Sequence, residues 1–119
     1  MRQPTAEIPI QELWDRYALN PLTGTLISLR RPRINVPVKG RTTKRGNYIR
    51  HSLALTWNNR EHTVSYGRVV HAWVTGAWAP EDVDHKDHDT TNNRPWNLQA
   101  LTKRQNLERR RVIRNQYSD

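Results

Sequence analysis

Residues 83–101 read VDHKDHDTTNNRPWNLQAL, with three aspartates and two histidines in the first seven positions. A turn-rich run, TTNNRP (90–95), follows, and then the alternating WNLQAL (96–101). Asp, Asn, Thr and Pro at this density make a long loop, and the segments on either side have the look of short strands. Thr102 can then cap a closing helix, KRQNLERRRVIRNQ (103–116). The order expected is strand, long loop, strand, helix.

Upstream, YALNPLTGTLISL (17–29) reads as a hairpin around Asn20-Pro21-Leu22-Thr23-Gly24. RRPRINVPVKGRTTKRG (30–46) is a basic loop or edge ribbon, because its prolines forbid a central strand. NYIRHSLALTW (47–57) has a half-buried strand pattern, and Asn58-Asn59-Arg60 turns it into EHTV (61–64). Ser65 opens a short helix with Tyr66, Val69, Val70 and Trp73 on one face, stopped by Gly76. His51, His62 and His71 read as ordinary partly buried or surface histidines rather than ligands. The first 13 residues, with two prolines and little pattern, are expected as a loose tail, and 14–119 as a single α+β domain.

The chain has 119 residues, of which 34% are hydrophobic, with no Phe and no Cys. One small core is all this length allows, and it is expected to lean on the five tryptophans, Trp96 included. Without cysteine, disulfides and thiolate zinc sites are excluded. No segment approaches the roughly 20 apolar residues of a membrane span, which makes a cytoplasmic protein the expectation. Net charge is +9 and unevenly laid out. From Arg16 to Arg60 there are ten Lys/Arg and no acid, and from Lys103 to Arg114 six basic residues and one Glu. Two basic blocks around an acidic island point to a polyanion, with DNA the leading candidate. A membrane-surface helix is excluded for the first block, which Pro, Gly and Thr interrupt.

The acidic island is not a calcium loop of the EF-hand kind. Twelve positions from Asp82 or Asp84 end on Asn93 or Pro95, with no Gly at the sixth. It does, however, form a series with residues further along the chain. Asp84-His85, the stretch NNRPWNL (92–98) containing Asn97, and RQN (104–106) on the closing helix together resemble the HNH nucleases, also called the His-Me finger or ββα-metal family. The likeness is greatest to small free-standing phage enzymes and HNH homing endonucleases, and it extends weakly upstream to the 17–29 hairpin and the helix YGRVVHAWV (66–74).

The resemblance implies a ββα-metal finger at about residues 80–114 and a DNA endonuclease that nicks strands with Mg²⁺ or Mn²⁺. It implies Asp84 and Asn106 as metal ligands, a hard carboxylate and an amide oxygen. It implies His85 as the general base and Asn97 as a structural residue that holds His85 across the loop. An imidazole of pKa ~6.5 can take a proton from water at neutral pH. For Asp84 and His85 to serve one site they must lie where a strand ends, since neighbours within a strand face opposite ways. His88 stands where the family has a turn glycine, so a positive φ there would carry strain. Asp87 and Asp89 are read as turn makers. Arg30, Arg31, Arg33, Lys39, Arg41, Lys44 and Arg45 are candidate DNA contacts from the ribbon, and Arg109 and Arg110 from the helix. The alternative is a basic nucleic-acid-binding protein that keeps the HNH scaffold without catalysis.

Overall fold

A computed structural model describes residues 8–80, 82–102, 104, 105 and 108. The chain begins with helix α1 (Ile10–Arg16) and a hairpin, β1 (Tyr17–Asn20) and β2 (Thr25–Ser28). Strands β3 (Arg41–Arg45), β4 (Tyr48–Trp57) and β5 (Arg60–Ser65) form an antiparallel sheet in that order. Helix α2 (Tyr66–Thr75) follows, and then β6 (Asp82–His85), a 3₁₀ turn (Pro95–Asn97) and β7 (Leu98–Leu101). β6 and β7 pair antiparallel, with His85 opposite Leu98 and Asp84 opposite Gln99. The result is an α+β fold of three small antiparallel sheets.

Local chemistry accounts for most of these boundaries. Asn20 closes the first hairpin by accepting the Gly24 N–H at its carbonyl (2.8 Å) and the Leu22 N–H at its side chain (3.0 Å). Asn58 and Asn59 both take positive φ, 52° and 61°, as a tight turn between twisted strands requires. Gly76 ends α2 at φ 77° with its N–H on the Ala72 carbonyl. Thr102 and Gln105 cap one another: the Gln105 N–H donates to Thr102 Oγ1 (3.1 Å), and the Thr102 N–H to Gln105 Oε1 (2.9 Å). That reciprocal pair marks a helix start.

The core is aliphatic. Leu13, Leu26, Leu55, Val69 and Val70 are fully enclosed with Tyr66, and α2 lies at the centre, packed on α1, β4, β5, β6 and β7. Burying each such side chain is worth about 1.5–3 kcal/mol. The expected reliance on tryptophan is corrected here. Trp57, Trp73 and Trp78 are only partly buried, and Trp14 and Trp96 are exposed, Trp96 by 64%. An indole N–H needs an acceptor, and those of Trp14, Trp73 and Trp78 find the backbone carbonyls of Trp73, Tyr17 and Ile8 at the margin of the core.

The N-terminal expectation is also corrected in part. Ile8 and Leu13 are core residues, and α1 occupies positions expected to be a loose tail; residues 1–7 lie outside the described residues. The outer half of β4 departs from its alternation. Tyr48, Ile49 and Arg50 are all exposed, as is every residue of β3. This part of the sheet is a ribbon that stands clear of the core. No helix among the described residues is long and apolar enough to cross a membrane.

Candidate active site

Asp84 and His85 are the last two residues of β6, where the strand gives way to the loop. His85 is 8% exposed and lies against the start of α2. Gly67 makes that approach possible: a Cβ there would stand 2.8 Å from both His85 Nε2 and Asn93 Oδ1. Asp84 is half-buried and accepts a hydrogen bond from Gln99 Nε2 at 3.3 Å, across the β6–β7 ladder. The site is therefore a buried imidazole beside a partly exposed carboxylate.

His85 Nε2 and Asn93 Oδ1 are 2.8 Å apart. An amide oxygen can only accept, so Nε2 carries the proton of the neutral ring. Nδ1 makes no hydrogen bond among the described residues, and its lone pair is left for chemistry. Asn93 is itself 2% exposed and held from its other side, where its Nδ2 lies 2.9 Å from His51 Nδ1. Sequence reasoning leaves the orienting partner of His85 open, because nothing in the NNR pattern gives its second Asn a role.

The loop is built on Asn97, which is fully buried. Its side-chain oxygen accepts the Asp87 N–H (3.1 Å), and its Nδ2 donates to Asp87 Oδ1 (2.9 Å) and to the Asn92 carbonyl (2.8 Å). Its own carbonyl accepts the Lys86 N–H at 2.7 Å. Both ends of the loop are thus tied to one residue. Asp87 also receives Asn92 Nδ2 and the Asp89 N–H, while Asp89 Oδ1 receives the N–H and hydroxyl of Thr91. Burial alone would raise the pKa of Asp87; the hydrogen bonds from Asn92, the Asp89 N–H and Asn97, with His85 nearby, outweigh it and hold the carboxyl below its usual value. His88 takes a positive φ, 67°, a conformation that carries strain for a residue other than glycine.

The expected ligand Asn106 lies outside the described residues, as do Arg109 and Arg110. Asp84 alone of the expected pair is described, and its hard oxygens suit Mg²⁺ or Mn²⁺. Among the described residues no group of three or more His, Cys, Asp or Glu could hold a metal ion. On the ribbon, Lys39, Arg41, Lys44 and Arg45 are exposed, with Arg31 and Arg33 in the loop before it. Arg30 differs, because its guanidinium reaches Glu12 at 3.5 Å, a carboxylate it shares with Arg16. His71 is half-buried on α2; its Nδ1 has no hydrogen-bond partner among the described residues, and burial pushes its pKa down.

The likeness to known proteins falls on these same elements. Residues 68–108 match the family model of HNH endonucleases. The solved structure of the HNH homing endonuclease I-HmuI, described for its DNA binding and cleavage, superposes with a TM-score of 0.65 at 24% identity. The match covers 89% of this chain and 57% of that one, so the chain spans little more than half the length of the relative. No curated protein matches it. The matched region begins on α2 just past Gly67, which backs the buried histidine, and takes in the loop and β7; over that stretch the chain is similar to the HNH endonucleases.

Proposed function

We propose that the protein is a metal-dependent DNA endonuclease that hydrolyses phosphodiester bonds and nicks one strand at a time. The observation that carries this reading is His85, a buried imidazole with one nitrogen held by Asn93 and the other without a hydrogen bond among the described residues, adjacent in sequence to Asp84. A histidine so held can accept a proton from water at Nδ1, because the Nε2–H is already donated. Asp84 would hold the cation together with the amide oxygen of Asn106. When bound, Mg²⁺ or Mn²⁺ polarises the phosphate and stabilises charge on the leaving oxygen. Asn97 keeps the loop closed, so that His85 and Asn93 stay in register.

The basic ribbon would supply the affinity. Arg41, Lys44 and Arg45, with Arg31 and Arg33, can neutralise backbone phosphates, and Lys39 stands at the inner end of the same ribbon. A carboxylate beside DNA is repelled unless a divalent cation lies between them, and this accounts for acid at the centre of a basic chain. Supercoiled plasmid incubated with the protein and Mg²⁺, with and without a chelator, tests the reading. Chelator-sensitive conversion to open circles is expected. Retardation of the plasmid without any cutting would make the protein a DNA-binding scaffold instead.

A further inference from the structure

His51 lies on β4, outside the region that matches the family model and 42 positions from Asn93 in sequence. We infer that His51 is a positioning residue which, through Asn93, sets which nitrogen of His85 carries the proton. The inference rests on the proposed role of His85 as base.

The chain of hydrogen bonds has one consistent direction. The Lys39 carbonyl lies 2.8 Å from His51 Nε2 and can only accept, so Nε2 is protonated. In a neutral His51, Nδ1 is then an acceptor, and the group 2.9 Å away must be the Asn93 NH₂. That choice turns Asn93 Oδ1 toward His85 and fixes the proton of His85 on Nε2. A backbone carbonyl therefore decides the state of the base through two side chains. Without His51 the amide of Asn93 could turn over and donate to His85 Nε2. The proton would move to Nδ1, and the base would be lost.

The surroundings hold this arrangement in place. His51 stacks on Tyr66 with ring centroids 4.4 Å apart and planes 8° from parallel. The Tyr66 hydroxyl donates to the Val38 carbonyl (2.7 Å) and accepts the Leu26 N–H (2.8 Å), so the stacking partner is anchored at its far end. Gly40 has φ 69°, and a Cβ there would come within 3.0 Å of His51 Nε2 and 2.7 Å of the Ser52 carbonyl. Gly40 and Gly67 thus admit the two ends of the relay. A second tie runs from the Thr90 hydroxyl to the Ile49 carbonyl, two residues from His51. The ribbon and the catalytic loop are joined at both points.

His51→Lys reverses the relay, because an ammonium can only donate and would draw Asn93 Oδ1 to itself. The metal-free protein, labelled with ¹⁵N and read at a pH where His85 is neutral, should change from Nε2-protonated to Nδ1-protonated His85. Single-turnover nicking with Mg²⁺ should fall at least about tenfold while DNA affinity holds, in line with lost support for a site histidine. Adding Asn93→Asp should restore both readouts, since a carboxylate accepts from either side. His51→Phe keeps the stack on Tyr66 and should give mixed tautomers, which answers the question if His51→Lys does not fold. A protein that cuts as wild type with either substitution, with His85 unchanged, overturns the relay. A wild-type protein that never cuts overturns the nuclease reading instead, and its tautomer pattern still tests the relay.

Discussion

Asn97 and Asp87 hold each other twice, the Asp87 N–H on Asn97 Oδ1 at 3.1 Å and the Asn97 Nδ2 on Asp87 Oδ1 at 2.9 Å. A fully buried amide that spends its whole side chain on one loop is a closure, and its loss should be felt as stability first. Asn97→Ala leaves the Asp87 N–H and the Asn92 carbonyl without their partner, a cost of about 2–3 kcal/mol. The melting temperature should fall on the order of 10 °C. Cleavage should fall with it and recover in part at low temperature. A melt within a degree or two of wild type would remove Asn97 from this role.

Asp87 should make the loop sensitive to acid. Its folded-state pKa lies below the ordinary value near 3.8, so ionised Asp87 favours the fold above that value, and the contribution is lost as pH falls through the lower one. The carboxyl is exposed, so the effect is modest. Between about pH 5 and pH 2, wild type should lose melting temperature faster than Asp87→Asn, which has no such proton to take up. Parallel pH profiles for the two proteins would contradict it.

How far the sequence carried can be read from single residues. The first hairpin and its Asn20–Gly24 turn were legible because turn chemistry is local. So were α2, with its 3.6-residue face, and Thr102 as a helix cap. The positions of Asp84 and His85 at the end of β6 agree with strand geometry and the loop composition. What escaped depends on distance. α1 is seven residues long, too short for a periodic signal, and its Leu13 is buried by contacts made elsewhere in the chain. His51 meets Asn93 only after β4 has paired with both its neighbours. No spacing rule finds a partner 42 residues away whose role depends on a backbone carbonyl.

Gly67 gives a test of packing at the site itself. Gly67→Ala puts a methyl group 2.8 Å from His85 Nε2 and from Asn93 Oδ1, so one or both must move. Helix propensity favours Ala over Gly by about 1 kcal/mol, while overpacking costs about 1–3 kcal/mol. Net stability should therefore change little, within about 2 kcal/mol. The cleavage rate should drop by about tenfold or more, because the displaced bond is the one that orients the proposed base. A variant that is both stable and fully active would mean that the His85–Asn93 geometry is not critical.

The ribbon should account for the salt dependence of binding. Each phosphate contact contributes about 0.9 to the slope of log affinity against log salt. Replacing Arg41, Lys44 and Arg45 by Gln should lower that slope by up to about 2–3 and weaken binding to unrelated sequences alike. All three side chains are exposed, so the melting temperature should not change. Arg30→Gln should matter less, since its charge is already shared with Glu12. An unchanged slope in the triple variant would put the DNA on another face.

The proposed metal ligands give the last test. With Asn106→Ala, Asp84 would be the only protein ligand left, so cutting with Mg²⁺ should collapse while the melting temperature stays close to wild type. Asn106→His should behave differently. An imidazole nitrogen suits later transition ions better than Mg²⁺, so activity should return preferentially with Mn²⁺, Co²⁺ or Ni²⁺. His85→Ala should not be rescued by any of these ions, because it removes the proposed base and leaves the proposed ligands in place, with DNA affinity nearly intact. If Asn106→Ala cuts normally with Mg²⁺, another oxygen completes the site. Asp87 would be a poor substitute, because its two carboxylate oxygens are already engaged by Asn92, Asn97 and the Asp89 N–H. Asp89, whose Oδ1 receives Thr91, would then be the carboxylate to replace first.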